Sequence, residues 1–119
     1  MDPLPSISKL SSSQFDKSGN LPNAKGITYI LFYSTGCGHC KQFAPMYTQF
    51  AQQNKGKANF FGLNSSVDTG LYNIKFPFPM NGVPVTGIYI NDQPSGYIVG
   101  NNPSKLSVSL NDTFNKMRQ

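Results

Sequence analysis

The chain has two cysteines, Cys37 and Cys40, separated by Gly38 and His39. Thiols at this spacing can close a small disulfide ring, open it, and exchange it with a disulfide in another protein, the attacking species being the thiolate. The pair stands where an apolar, β-rich run ends and a helical period begins. At such a junction the first cysteine lies near the unpaired amides and positive end of the helix, which favours thiolate over thiol and lowers its pKa. Cys37 is therefore the expected nucleophile. Cys40, one turn further in and on the apolar face, is expected to be more buried, with a higher pKa, and to resolve the mixed disulfide that Cys37 forms. An imidazolium at His39 adds to the stabilisation of the thiolate. Whatever stabilises that thiolate makes the disulfide a stronger oxidant, ~30 mV for every ~1.4 kcal/mol.

Three plainer readings compete. A structural zinc site usually needs four Cys or His ligands, and one histidine with two cysteines cannot supply them unless chains combine. A purely structural disulfide gains least from so short a loop. Chance placement would have to put the only two cysteines on one strand-to-helix turn. The redox reading outweighs all three, and it requires neither metal nor cofactor.

The elements that must position the pair can be read from periodicity. Residues 27–33, Ile-Thr-Tyr-Ile-Leu-Phe-Tyr, form a nearly unbroken apolar run, the pattern of a central strand covered on both faces. From Cys37 onward Cys40, Phe43, Ala44, Tyr47, Phe50 and Ala51 recur at steps of three and four, predicting an amphipathic helix of about four turns. Pro45 inside it predicts a kink. A strand is expected over 58–63 and a short helix over 67–72. Prolines keep 76–80 irregular. Residues 83–90 and 97–99 flank the turn-formers of 91–96, the pattern of an antiparallel hairpin. A last helix follows, with Asn102 as its N-cap, Pro103 at its first position, and Leu106, Leu110, Phe114 and Met117 on one face. Within residues 1–25, Ile7, Leu10 and Phe15 suggest a brief strand and a short helix.

With 119 residues the chain suits one domain and a normal hydrophobic core. The net charge of +5 arises as much from scarce acids as from abundant bases, since every acid is Asp. The basic residues are scattered without a run or stripe, so nucleic acid is not an expected partner. The N-terminus has no basic region followed by an apolar core, and no run of about 18 apolar residues occurs. As written the chain carries neither leader nor membrane span. Its compartment stays open: cytosol as the chain stands, with an oxidising compartment or a viral particle as the alternatives.

Residues 32–41, Phe-Tyr-Ser-Thr-Gly-Cys-Gly-His-Cys-Lys, followed by Phe43-Ala44-Pro45, resemble the strand, active site and kinked helix of the thioredoxin superfamily. The Cys-Gly-His-Cys tetrapeptide resembles that of protein disulfide isomerase domains, and Val83-Pro84-Val85 resembles the family's cis-proline loop. The similarity runs over roughly residues 27–117. It implies an α/β thioredoxin fold, a central mixed sheet of four to five strands flanked by helices, as a single domain over 1–119. It also implies a thiol-disulfide oxidoreductase acting on protein disulfides, oxidase- or isomerase-like ahead of reductase. Its partners would be substrate proteins with thiols or disulfides and an unidentified redox partner. Catalysis would fall to Cys37 and Cys40 with His39, and a substrate groove would be bordered by Gly36, Gly82, Val83, Pro84 and the Gly100-Asn101 turn, Pro84 being cis.

Two departures stand out. The family's buried acid, which takes a proton near the second cysteine, would fall at position 31, and Leu31 stands there. Position 36, commonly Trp in close relatives, is Gly. Both favour an alternative in which the chain is a thioredoxin-like binding or assembly module with little redox turnover. Phe76, Phe78 and Met80 can either restore the lost apolar surface or, more in keeping with their type, pack in the core or loop.

Overall fold

The computed structural model describes residues 2–118; Met1 and Gln119 lie outside the described residues. In chain order the elements are β1 (Ser8–Lys9), β2 (Ile27–Tyr33), α1 (Gly38–Gln53), β3 (Asn59–Asn64), β4 (Val85–Ile90), β5 (Gln93–Val99) and α2 (Ser104–Met117), with 3-10 turns at Ser12–Gln14 and Thr69–Asn73. They build one mixed five-stranded sheet in the order β1-β3-β2-β4-β5. β2 runs parallel to β3 and antiparallel to β4. All seven of its residues are buried, as its nearly unbroken apolar run requires of a strand covered on both faces.

Period-two alternation divides β2 between two cores. Tyr29, Leu31 and Tyr33 face a cluster with Cys40, Phe43, Tyr47 and Phe50 of α1 and Leu106 and Leu110 of α2. Ile30 and Phe32 face a second cluster with Phe15, Leu21, Leu71, Phe78 and Tyr89. Both α-helices therefore lie on one face. The other is covered by coil and 3-10 turns. The reason is local: 69–83 is interrupted by Pro77 and Pro79, which fix φ and remove donors. Phe76 and Phe78 pack there, their rings stacked 5.3 Å apart, with Phe78 beside Tyr89.

Beyond shifts of one or two residues in β3 and β4, three boundaries differ from expectation. β5 begins at Gln93, so the hairpin turn is only Asn91-Asp92 and Pro94, Ser95 and Gly96 belong to the strand. An edge strand tolerates such residues, since one side needs no ladder donors, and a bulge at Ile88/Tyr89 absorbs the register shift. α2 starts at Ser104 with Pro103 as its N-cap and no side-chain capping bond. Asn102 does not cap it because its Nδ2 donates to the Val99 carbonyl at 2.6 Å, closing the preceding turn. Met117 is 43% exposed, and Thr113 takes the buried place on that helix, its hydroxyl donating to the Ser109 carbonyl. The short helix after β3 is the 3-10 turn Thr69–Asn73, which Asp68 caps by accepting from the Gly70 amide.

Candidate active site

β2 ends at Tyr33, and the chain turns through Ser34, Thr35 and Gly36 to reach Cys37. Cys37 has extended backbone (φ −88°, ψ 114°) and is the N-cap of α1. Its Sγ occupies the place a serine or aspartate oxygen usually holds, accepting the Cys40 amide N–H at 3.1 Å. This amide is one of the orphan donors of the helix start, and a sulfur accepting it is favoured as thiolate. Helical spacing then carries Cys40 to the apolar side of α1, where it is fully buried beside Phe43, Ala44 and Tyr47. The two sulfurs are joined in a disulfide with Cα atoms 5.2 Å apart. Cys37 is half-buried, and His39 and Gly36 are exposed.

The segment entering β4 lies alongside. Cys37 Sγ is 3.7 Å from the Val83 carbonyl oxygen, and the Val83-Pro84 peptide bond is cis. The Pro84 carbonyl accepts the Gly100 amide at 2.9 Å, and Asn101 Nδ2 donates to Gln42 Oε1 of α1 at 3.1 Å. The Gly100 turn, at φ +76°, thus sits beside Pro84 and ties β5 to the helix that carries the cysteines. Next to this corner opens a cleft of about 660 Å³ whose walls include Ser34, Leu71, Tyr72, Met80, Gly82 and Val83. A larger cleft, about 760 Å³, lies by the first residues of β2 and β3, among Leu10, Phe15, Lys25 and Asn59. Unlike the smaller cleft, it has neither Ser34 nor Val83 in its wall, and it belongs to a different part of the molecule.

Of the residues singled out in the sequence, the structure brings Cys37, Cys40, Val83, Pro84 and Gly100 to one corner, with Gly82 on the adjoining cleft. Gly36 and His39 stand on the open rim, and a Cβ added at Gly36 or Gly82 would meet nothing within 4 Å. Met80 lines the cleft, whereas Phe76 and Phe78 belong to the second core. Leu31 is fully buried in the cluster that holds Cys40, with no carboxylate in its place. Among the described residues no group of three His, Cys, Asp or Glu side chains could hold a metal, and no helix is long and apolar enough to cross a membrane. Two features escaped the sequence reading. The Gln42-Asn101 tie depends on loop placement, and the lone Thr86 in an apolar strand was a signal available but unused.

An N-capping sulfur paired with a buried one defines a dithiol-disulfide exchange centre carried on a strand-to-helix turn. The family model described as Thioredoxin matches residues 6–112, and the chain belongs to the thioredoxin family. Protein disulfide-isomerase like 2-2 of Arabidopsis thaliana is 32% identical over 87 residues, which is 73% of this chain but only 18% of that protein. A thioredoxin of Coprinus comatus is 29% identical over 94 residues, 79% of this chain and 87% of that one. The crystal structure of oxidised mitochondrial thioredoxin 3 from Saccharomyces cerevisiae superposes with a TM-score of 0.75 at 24% identity, covering 93% of this chain and 99% of that one. The chain thus spans less than a fifth of the isomerase it matches and most of the thioredoxin.

Proposed function

We propose that this single domain works as an oxidase or isomerase of protein disulfides, with Cys37 as the exchanging sulfur and Cys40 as the resolving one. In the oxidising direction a substrate thiolate attacks Cys37 Sγ, the Cys37-Cys40 bond breaks and Cys40 leaves with the electron pair. A second substrate thiolate then attacks the substrate sulfur of the mixed disulfide, and Cys37 departs as thiolate. Two electrons pass from the substrate dithiol to the pair. The observation that carries this reading is the Cys40 amide donating to Cys37 Sγ: it stabilises the thiolate, hence the dithiol, and so raises the oxidising power of the disulfide. An imidazolium at His39, exposed in the same helical turn, works in the same direction when charged.

Val83, Pro84, Gly82, Gly100 and Gly36 border the surface that receives an extended substrate segment, and the open rim at Gly36 and Gly82 leaves room for it. Leu31 supports a second reading, a binding or assembly module that turns over slowly, because Cys40 has no carboxylate to take its proton. The measurement that decides is refolding of reduced, denatured ribonuclease together with insulin reduction, each against Cys37→Ser. Oxidative refolding above the Cys37→Ser background supports the oxidase or isomerase reading. Activity confined to insulin reduction would make the protein a reductase, and activity equal to the background in both assays would leave the binding module.

A further inference from the structure

The sheet face beneath α1 carries several buried hydroxyls, and most are occupied. Tyr29 Oη and Ser109 Oγ are 2.6 Å apart, Tyr33 Oη donates to Asp2 Oδ1 at 2.9 Å, and Tyr47 Oη donates to the Phe61 carbonyl at 2.7 Å. Thr86 is the exception. Its side chain is fully buried, and among the described residues its Oγ1 is the buried side-chain polar atom without a hydrogen-bond partner. An unpaired buried hydroxyl opposes folding, and an apolar side chain of the same shape would be free of that cost. Packing alone does not account for threonine here.

Its position supplies an account. In the antiparallel register Thr86 lies directly opposite Leu31, and opposed residues project from the same face. Leu31 belongs to the cluster that holds Cys40, and so does Ile88, two residues further along β4. In the other direction three residues lead back to Val83, whose carbonyl oxygen lies 3.7 Å from Cys37 Sγ. Thr86 thus stands in the layer beneath the first turns of α1, across the strand pair from the site where the resemblance places an acid and this chain has leucine.

We propose that the Thr86 hydroxyl donates a hydrogen bond to the Cys40 sulfur whenever the disulfide is open, stabilising the resolving thiolate. This rests on the exchange chemistry proposed above. In the reducing direction the Cys37 thiolate attacks a substrate disulfide, the mixed disulfide forms, and the first substrate thiolate leaves. Cys40 yields its proton to that departing thiolate. The Cys40 thiolate then attacks Cys37 Sγ, the intramolecular disulfide closes, and the second substrate sulfur leaves as thiolate and takes its proton from water. Two electrons reach the substrate and no further reagent is consumed. Thr86 carries no proton across; it supplies a dipole where charge develops on Cys40.

Thr86→Val deletes the donor and keeps the shape. In a Cys37→Ser background, ultraviolet titration of the Cys40 thiolate should then shift upward by about one pH unit, about tenfold less thiolate at a fixed pH. With both cysteines present, the mixed disulfide with insulin should persist correspondingly longer before resolution. Thr86→Ser should restore both values, which a packing role would not predict. Thr86→Ala carries the same expectation, so a folding failure of the valine variant leaves the question decidable. An unchanged Cys40 titration in a folded variant, or no restoration by serine, overturns the proposal. Failure of the exchange reading looks different: wild type no better than Cys37→Ser at refolding or reduction, with the Cys40 titration still measurable.

Discussion

Leu31→Asp would put a carboxyl where the resemblance expects one, and its cost follows from the surroundings. The leucine is fully buried against Cys40 and the aromatic rings of α1. Aspartate has nearly the same shape, so little cavity opens, and the loss is chiefly the transfer free energy of the side chain, about 2–3 kcal/mol. The neutral carboxyl can use the unpaired Thr86 hydroxyl opposite it, leaving about 1 kcal/mol for its unmet hydrogen bonds. At acid pH the variant should therefore be destabilised by about 3–4 kcal/mol. In the unfolded chain the introduced carboxyl ionises near pH ~3.9. In the folded protein desolvation holds it neutral, raising its pKa by about 3 units. Between those values the folded state binds the extra proton, so stability falls as pH rises, by ~1.4 kcal/mol per unit, and about 4 kcal/mol more is lost by pH ~7. For a chain of this size ~1 kcal/mol moves the melting temperature about 4 °C. Circular-dichroism melts of the oxidised proteins should show the variant about 15–20 °C below wild type at pH ~4.5 and about 30 °C below at pH ~7.5. An equal decrement at the two pH values, or a larger one at the acid end, would refute the reasoning.

Two further outcomes test the packing. A Cβ at Gly87 would sit 2.9 Å from Phe78 Cζ and 3.4 Å from Phe32 Cε2, in a layer where Phe78 is already held by Phe32, Phe76 and Tyr89. Gly87→Ala should cost about 1–3 kcal/mol in urea unfolding, whereas Gly96→Ala, whose nearest atom is Ile88 Cδ1 at 4.0 Å, should cost distinctly less; equal costs would contradict the crowding. Burial raises the pKa of Tyr29 to about 12 and pushes those of Tyr47 and Tyr89 up as well. An unfolded tyrosine ionises near pH ~10 while these keep their protons, so stability that is intact below pH ~10 is lost above it, up to about 4 kcal/mol by pH ~11 for the three together. Urea titrations at pH ~9 and ~11 should show that fall, and flat stability across the interval would count against the assigned burial.

The cysteine turn was legible in the sequence because its physics is local. A strand that is apolar at nearly every position, followed within four residues by a helical period, places the first sulfur at the helix start and the second on the apolar face, whatever the rest of the chain does. The features that escaped depend on what faces what. Pro94-Ser95-Gly96 reads as a turn until β5 proves to be an edge strand, where missing donors cost nothing on the outer side. Asn102 is an apt helix cap until its carboxamide is needed to close the turn at Val99. Pro77 and Pro79 keep residues 76–80 from being a helix, yet nothing in their spacing shows that, with Phe15 and Leu21, Phe78 covers the second face of the sheet.

The same distinction governs the site itself. Taken one position at a time, the chain has lost polarity beneath Cys40, because leucine replaces an acid at position 31. Strand pairing changes that conclusion: the register joins position 31 to position 86 across β2 and β4, and the polarity missing from one strand stands on its neighbour as a buried hydroxyl without a partner. A hydroxyl cannot take the proton that a carboxylate would take, but it can stabilise the sulfur left behind. The thiol at Cys40 should therefore open by thiolate stabilisation, with its proton passing to the departing substrate sulfur rather than to the protein.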